Sequence, residues 1–424
     1  MTNFALLGDI CYSVSPQELR TAKDAYVVSL NGKSAGIFDK LPEAYQDLPQ
    51  INYRNHLILP GLVDLHVHAP QYRVRGMGMD LELIDWLNTY IFPEEVLFAD
   101  LAYAENVYTA FVRDVKRGPN TRTVVFATPH VPATILLMDL LERSGLVCLV
   151  GKVSMDRNAP ANLVEKDTDR AISDVRTWLT KINGRYERVS PILTPRFVPA
   201  CSEHLMAGLR ELQREFGLGV QSHLSENQQE VSWVQDLVPD SESYGHAYNK
   251  YSLFGGETPT IMAHCVWPSE AEFELIRKQQ ILVAHCPQSN INLASGVAPI
   301  RRYLDAGISV GLGSDVAGGT HTSIFRAMSD AIGVSKLYWR LVDQKSKPLT
   351  FQEVFHMGTR GGGHFFGQVG SFDIGYELDA LILDDRELSD AGVLSIQERL
   401  ERVIHQFDDK LIQQKYVCGT PVAL

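Results

Sequence analysis

Residues 57–68 read LILPGLVDLHVH, an apolar, strand-like run that ends on two histidines one residue apart. Side chains of a strand alternate between its faces, so His66 and His68 project to the same side and bring two imidazoles to one point. Alone, such a pair fits a solvated strand equally well, and its meaning depends on what the rest of the chain sets beside it. Downstream, short apolar runs recur with polar, helix-like stretches between them. They are TVVFAT at 123–128, LVCLVGKVS at 146–154, SPILTPRF at 190–197, GVQSHLS at 219–225, TIMAHCV at 260–266, ILVAHCP at 281–287 and ISVGLGSD at 308–315. With the first run these make eight, and eight parallel strands alternating with helices close a (β/α)8 TIM barrel. The predicted fold class is therefore α/β.

The intervening stretches support this. In EAEFELIRKQ at 270–279, Phe273 and Ile276 lie three apart among charges, as on an amphipathic helix. Thr350 and Glu353 are spaced as a capping box ahead of Val354 and Phe355, which predicts a further helix in the outer layer. The two ends differ. AYVVSLNGKSAGIF at 25–38 and LDALILDD at 378–385 are β-rich with turn residues between them. Residues 1–55 and 370–424 are expected to form one small β-sandwich-like domain, and residues 56–369 the barrel.

The bulk numbers bound the function. A chain of 424 residues, 45% hydrophobic and 21% charged, accommodates a barrel and a companion domain and carries no sign of disorder. The formal net charge is −12 and no long basic run exists to track a phosphate backbone, so nucleic acid is not an expected partner. Six scattered cysteines without a C-x-x-C pair argue against a disulfide framework and a cysteine-held zinc. They also set the chain apart from nucleobase deaminases with an H-x-E and P-C-x-x-C zinc site. The opening MTNFALLGDICYSV lacks a basic n-region and is broken by Asp9, and no run of about 18 uncharged apolar residues occurs. A cytoplasmic protein without a membrane span is expected.

The two histidines gain company at the other strand ends. His223, His264, His285 and Asp315 fall at the C-terminal ends of the fifth to eighth predicted strands, and in a barrel those ends meet at the face where active sites are built. Three histidines and a carboxylate suit a borderline-soft divalent ion, with zinc first and iron or manganese as alternatives. The fourth strand ends Thr194-Pro195-Arg196-Phe197 and supplies no lysine to bridge a second ion, so one metal is expected. Such an ion lowers the pKa of a bound water to about 7, and the chemistry then needs a proton shuttle. Glu226, three residues beyond His223, is placed for that role, its plainer alternative being a helix first-turn carboxylate. His130, His321 and His364 are read as structural, and His285 as either a structural hydrogen bonder or a catalytic group.

Several segments carry a resemblance. They are PGLVDLHVHAPQY from Pro60, DLELIDWLNTYIFPEE from Asp80, TPRFVPACS from Thr194, SHLSENQQEV from Ser222, MAHCVWPS from Met262, AHCPQSN from Ala284 and VGLGSDVAGG from Val310. Over about residues 56–385 the chain resembles the amidohydrolase superfamily and, within it, the guanine deaminases. The resemblance implies that His66, His68, His223 and Asp315 hold one metal, that His264 orients the hydroxide and stabilises the oxyanion, and that Gln71, Arg196 and Phe197 hold the purine. An arginine fork does match the O6 and N7 acceptors of guanine, and an aromatic ring offers a stacking face. The implied reaction is attack of a metal-activated hydroxide on C2 of guanine, with Glu226 protonating N3 and Asp315 taking the water proton, giving xanthine and ammonia. A homodimer is implied too. Pro70 stands where the family varies, often with Ser. Two alternatives remain at this point: an aminohydrolase or chlorohydrolase of the same superfamily acting on another purine, a pterin or a triazine, and a catalytically silent metal-binding scaffold.

Overall fold

Gly61 divides the opening run between two sheets. The computed structural model describes residues 2–388 and 394–424, so the predicted C-terminal segment is described except for 389–393, and Met1 also lies outside. At the N-terminus, β1 (Phe4–Ser15), β2 (Glu18–Leu30), β3 (Lys33–Phe38) and β4 (Gln50–Pro60) come first, and β5 (Leu62–His68) follows β4 at once. A Cβ on Gly61 would lie 2.2 Å from Thr121 Oγ1 and Cγ2, so only glycine lets the chain pass this close to the neighbouring strand. Residues 57–60 thus belong to the end sheet, whereas the sequence reading had placed them on the first barrel strand. An unbroken apolar run cannot reveal that its two halves pair with different partners.

The end sheet has seven strands, in the order β17-β16-β15-β4-β1-β2-β3, with β15 (Ala380–Leu383), β16 (Ile412–Val417) and β17 (Thr420–Val422) supplied by the C-terminus. Strand alternation predicts two faces per strand but not how many sheets result, and here the two termini make one continuous sheet. One face gathers Phe4, Leu6, Ile10, Tyr12, Val27, Ile58, Ile382 and Tyr416 into a small core. From the other, Leu57, Leu59, Leu381 and Leu383 join the main core, together with Leu400, Val403 and Ile404 of the helix Ile396–Gln406. Two buried basic side chains tie this sheet to the rest. Lys415 Nζ donates to the carbonyls of Val115, Gly118 and Asn120, at 3.4, 2.8 and 2.9 Å. Arg122 Nε donates to Asp379 Oδ2 at 2.7 Å, and both side chains are almost fully buried.

The middle of the chain is parallel. One four-stranded sheet runs β5-β6-β7-β9, with β6 (Asn120–Phe126), β7 (Val147–Gly151) and β9 (Val189–Pro191). Past their ends the short β8 (Val153–Ser154) and β10 (Thr194–Pro195) pair with each other. A second four-stranded sheet runs β11-β12-β13-β14, made of β11 (Val220–Leu224), β12 (Thr260–His264), β13 (Leu282–His285) and β14 (Val310–Leu312). Backbone hydrogen bonds cross both gaps between these sheets. Leu193 N donates to Gly219 O at 3.0 Å and Gln221 N to Leu193 O at 2.9 Å, while Asp315 N donates to His66 O at 2.8 Å and His68 N to Val316 O at 3.0 Å. Val63, Leu65, Val124, Ile192, Ile261, Ala263, Leu282 and Ala284, drawn from both sheets, share one buried cluster.

Helices follow the strands. They include Leu101–Arg117, Val131–Ser144, Thr168–Ile182, Glu203–Phe216, Glu270–Lys278 and Ile324–Leu341. Phe273 and Ile276 are the buried apolar residues of Glu270–Lys278, as their spacing predicts, and Thr350 and Glu353 form both halves of the capping box that opens Phe351–His356. No helix among the described residues is long and apolar enough to cross a membrane.

Candidate active site

Simple alternation along β5 would turn the two histidines the wrong way, because Val63 and Leu65 already point into the inner cluster. A register shift against β6 between Asp64 and Val67 adds a residue, and from there His66 and His68 face inwards and Val67 packs outwards. The bulge is held by Asp64, whose Oδ1 accepts from His66 N at 3.2 Å and Ser314 N at 2.9 Å and whose Oδ2 accepts from Ser314 Oγ at 2.6 Å. Burial pushes this carboxyl up to about 7 despite the Ser314 donors. The sequence reading assigned Asp64 no role. Its hydrogen bonds join the first strand to the loop that carries Asp315.

Other strands deliver their groups by bending. On β12, Ile261 and Ala263 face the inner cluster, which would send His264 outwards, but His264 and Cys265 adopt φ of +73° and +48° and bring the ring in. Asp315 likewise sits at φ +44° and Ser225 at +48°. Non-glycine residues in this region carry strain, and the surrounding fold holds these three strand ends in it. On β11, His223 needs no bend, as Val220 and Leu224 face outwards.

The result is a tight group of donors. His68 Nε2 lies 3.2 Å from both His66 Nε2 and His223 Nε2, and Asp315 Oδ1 lies 3.1 Å from His66 Nε2 and 3.4 Å from His68 Nε2. Ligands about 2.0–2.1 Å from a tetrahedral ion are themselves roughly 3.3 Å apart, so the spacing is that of a cation site. The tautomers agree. His223 Nδ1 donates to Arg196 O at 2.6 Å, which leaves Nε2 as a lone pair aimed at the shared point. Burial first, and then neighbouring imidazoles, hold His68 and His223 far below the ordinary histidine range, so both are neutral as ligands must be. Burial favours protonation of Asp315, but His66, which also hydrogen-bonds it, and His264 outweigh it and keep the carboxylate ionised. Cys286 Sγ also approaches His66, His264 and Asp315, yet burial raises its thiol well above the usual range and it stays protonated.

Beside the donors lies a small cavity. His68, His223, His264, Glu226 and Asp315 line it, together with Gln71, Arg196 and Phe197. Leu83, Trp86 and Leu87, from the stretch at 80–95, also line it. Glu226 Oε2 is 3.3 Å from His264 Nε2, and its Oε1 accepts from Ser295 Oγ at 3.2 Å. Burial and the charge of Asp315 raise the Glu226 carboxyl well above the usual range. His264 Nδ1 meets Asn290 Oδ1 at 2.9 Å, which fixes the ring.

His285 does not join this group. Its neighbours Ala284 and Cys286 face inwards, so its ring points out, into a separate small cavity lined by Ile300, Arg301, Tyr338 and Leu349. Both ring nitrogens lack a partner among the described residues. Sequence reasoning placed six side chains at one face, and five meet there. It also missed Glu95, which lies behind Gln71 and Arg196: it was quoted within 80–95, but a carboxylate in a helix-like run gives no local sign of its partner.

Residues 57–417 match the amidohydrolase family. The chain is 38% identical over 380 residues to the guanine deaminase of Dictyostelium discoideum, covering 88% of this chain and 84% of that protein. To the Homo sapiens guanine deaminase it is 36% identical over 382 residues, covering 87% and 83%. Among solved structures, a guanine deaminase from C. acetobutylicum with guanine bound in its active site superposes with a TM-score of 0.96 at 42% identity, covering 99% of this chain and all of that one. A triazine hydrolase from Arthobacter aurescens shares the fold, with a TM-score of 0.85 at 19% identity over 99% and 94% of the two chains.

Proposed function

The chain belongs to the amidohydrolase family and stands among its guanine deaminases, and from that membership we propose that it hydrolyses guanine to xanthine and ammonia in the cavity between His68 and Arg196. The observation that carries the reading is the make-up of that one cavity, whose lining combines metal-type histidines and the carboxyl groups of Glu226, Glu230 and Asp315 with the hydrogen-bond donors Gln71 and Arg196, suited to an oxopurine. The composition and alternation of the parallel strands support a closed (β/α)8 barrel over residues 56–369, as do the hydrogen bonds at both gaps. Residues 1–55 with 370–424 are read as the companion domain, and a cytoplasmic homodimer belongs to the same reading.

His66, His68, His223 and Asp315 would hold one divalent ion, zinc first and iron or manganese as alternatives, on the strength of their spacing, the neutral imidazoles of His68 and His223 and the ionised carboxylate. Bound there, such an ion supplies Lewis acidity and lowers the pKa of water to about 7.

The side chains do the rest. Gln71 and Arg196 donate to the O6 and N7 edge of guanine, and Phe197 packs against the ring. This turns C2 towards Asp315, Glu226 and His264. Asp315 accepts the proton of the attacking water, and Glu226, held protonated, gives its proton to N3 as the C2–O bond forms. His264 Nε2 orients the incoming oxygen and stabilises its developing charge. The proton taken by Asp315 then passes through Glu226 to the 2-amino group, the C–N bond breaks and ammonia leaves, while the 2-hydroxyl gives its proton to Glu226 as the carbonyl forms, which restores both carboxyl groups. In H2 18O, the reading predicts xanthine carrying one heavy oxygen and an equal amount of ammonia, identified by mass spectrometry. Unlabelled xanthine, or none from folded, metal-loaded protein, would contradict it.

A further inference from the structure

The two residues assigned to the purine edge share a partner that does not line the cavity. Glu95 is 1% exposed and lies behind both. Its Oε2 accepts from Arg196 Nη1 at 2.5 Å, and its Oε1 accepts from Arg196 Nη2 at 3.1 Å and from Gln71 Nε2 at 3.0 Å. Gln71 Oε1 in turn accepts from the backbone N–H of Ala317 at 3.3 Å.

We propose that Glu95 sets the hydrogen-bond polarity of the purine pocket, and through it the preference for a 6-oxo over a 6-amino purine, without touching the substrate. This rests on the reading that Gln71 and Arg196 hold the purine edge. Both Glu95 oxygens accept from Arg196 and a backbone N–H only donates, so both neighbours of the Gln71 amide require the same orientation. The second N–H of Nε2 is thereby left for a ligand, and the amide oxygen is turned away. Arg196 gives two of its five N–H groups to Glu95, so what it has left is also donor only. A wall of donors matches O6 and N7 of a 6-oxopurine. A 6-amino group would set N–H against N–H, leaving buried donors unpaired on both sides. Without the carboxylate, Gln71 is free to turn its oxygen inwards and Arg196 loses the partner that aims it. Glu95 is thus a positioning residue that determines specificity.

The test compares guanine with 2,6-diaminopurine, which presents the same 2-amino group for hydrolysis and would yield 2-oxo-6-aminopurine and ammonia. Steady-state kinetics are measured on metal-loaded wild type, Glu95→Gln, Glu95→Asp and Gln71→Met. Wild type is expected to favour guanine in kcat/KM by roughly 1,000-fold or more. In Glu95→Gln that preference falls by at least about tenfold, with the guanine loss mainly in KM. Glu95→Asp, which keeps the acceptor-only group, retains most of it. An unchanged preference in folded Glu95→Gln, or an equal fall in kcat for both purines, overturns the proposal. Should Glu95→Gln fail to fold, competition on wild type decides: 2-aminopurine, with hydrogen at C6, must inhibit guanine turnover better than 2,6-diaminopurine, and the reverse order overturns the proposal. Gln71→Met tests the underlying reading separately. If its KM for guanine is unchanged, the purine is held elsewhere, whatever Glu95 does.

Discussion

Asn290, Ser295 and Asp64 decide how the reactive groups stand. Asn290 accepts from His264 Nδ1, so that Nε2 faces Glu226 and Asp315. Asn290→Ala is expected to lower kcat by about 10- to 100-fold, as losing the support of an oriented imidazole commonly does, with metal content by mass spectrometry unchanged. Glu226→Gln should keep its metal and lose at least about 100-fold in turnover, because an amide cannot carry the proton. An active, metal-replete Glu226→Gln would remove it from the mechanism. His285→Leu is expected to leave turnover within about threefold and not to lower the melting temperature, since the buried ring has no partner to lose. At this scale the sequence was informative about identity and poor about direction. Strand-end position identified His66, His68, His223, His264 and Asp315 but also admitted His285, whose neighbours in ILVAHCP hold the clue. With Ala284 and Cys286 facing in, a regular strand must send His285 out.

Among the elements, departures from regularity build the site. The shift in β5 and the left-handed backbone at His264 and Asp315 turn side chains that simple alternation would send outwards. Neither is legible in composition, because a bulge depends on the pairing partner and a left-handed histidine on the fold that holds it. The strands themselves, the helix Glu270–Lys278 and the capping box at Thr350 were legible, since each rests on spacing within a few residues. The junction between β4 and β5 was not. Gly61→Ala should destabilise the protein by about 1–3 kcal/mol, measured by urea unfolding, because its Cβ meets Thr121.

Over the whole molecule, long-range buried charges hold the end sheet to the parallel core. Arg122 with Asp379 is one such tie, and Asp379→Ala would leave the guanidinium buried with its principal partner gone, at a cost of about 3–5 kcal/mol. The sequence showed that the two ends are β-rich, but not that a strand from each meets in one sheet. Such pairings span more than 300 residues, as between Leu381 and Leu59, and leave no local trace. Stability should also respond to pH through Glu272, whose buried carboxyl accepts from Ser225 Oγ and Gly245 N and is pushed up from 4.5 to about 7. The folded state binds this proton more tightly than the unfolded chain. Its contribution is therefore complete below about pH 4.5 and is lost as pH rises through 7. Glu272→Gln is expected to flatten the stability profile of the wild type between these values by up to ~1 kcal/mol per pH unit, and an unchanged slope would contradict the assignment.

The central claim is that one metal, held by His66, His68, His223 and Asp315, serves guanine hydrolysis in the adjoining cavity. It is tested most directly by stripping the protein with a chelator and following guanine turnover by ultraviolet absorbance as Zn2+ is titrated back. No turnover is expected at the start, then a linear rise that stops at one ion per chain, with iron or manganese as the alternatives to try if zinc binds without restoring activity. Undiminished turnover by protein shown to be metal-free, or a plateau at two ions per chain, would contradict it.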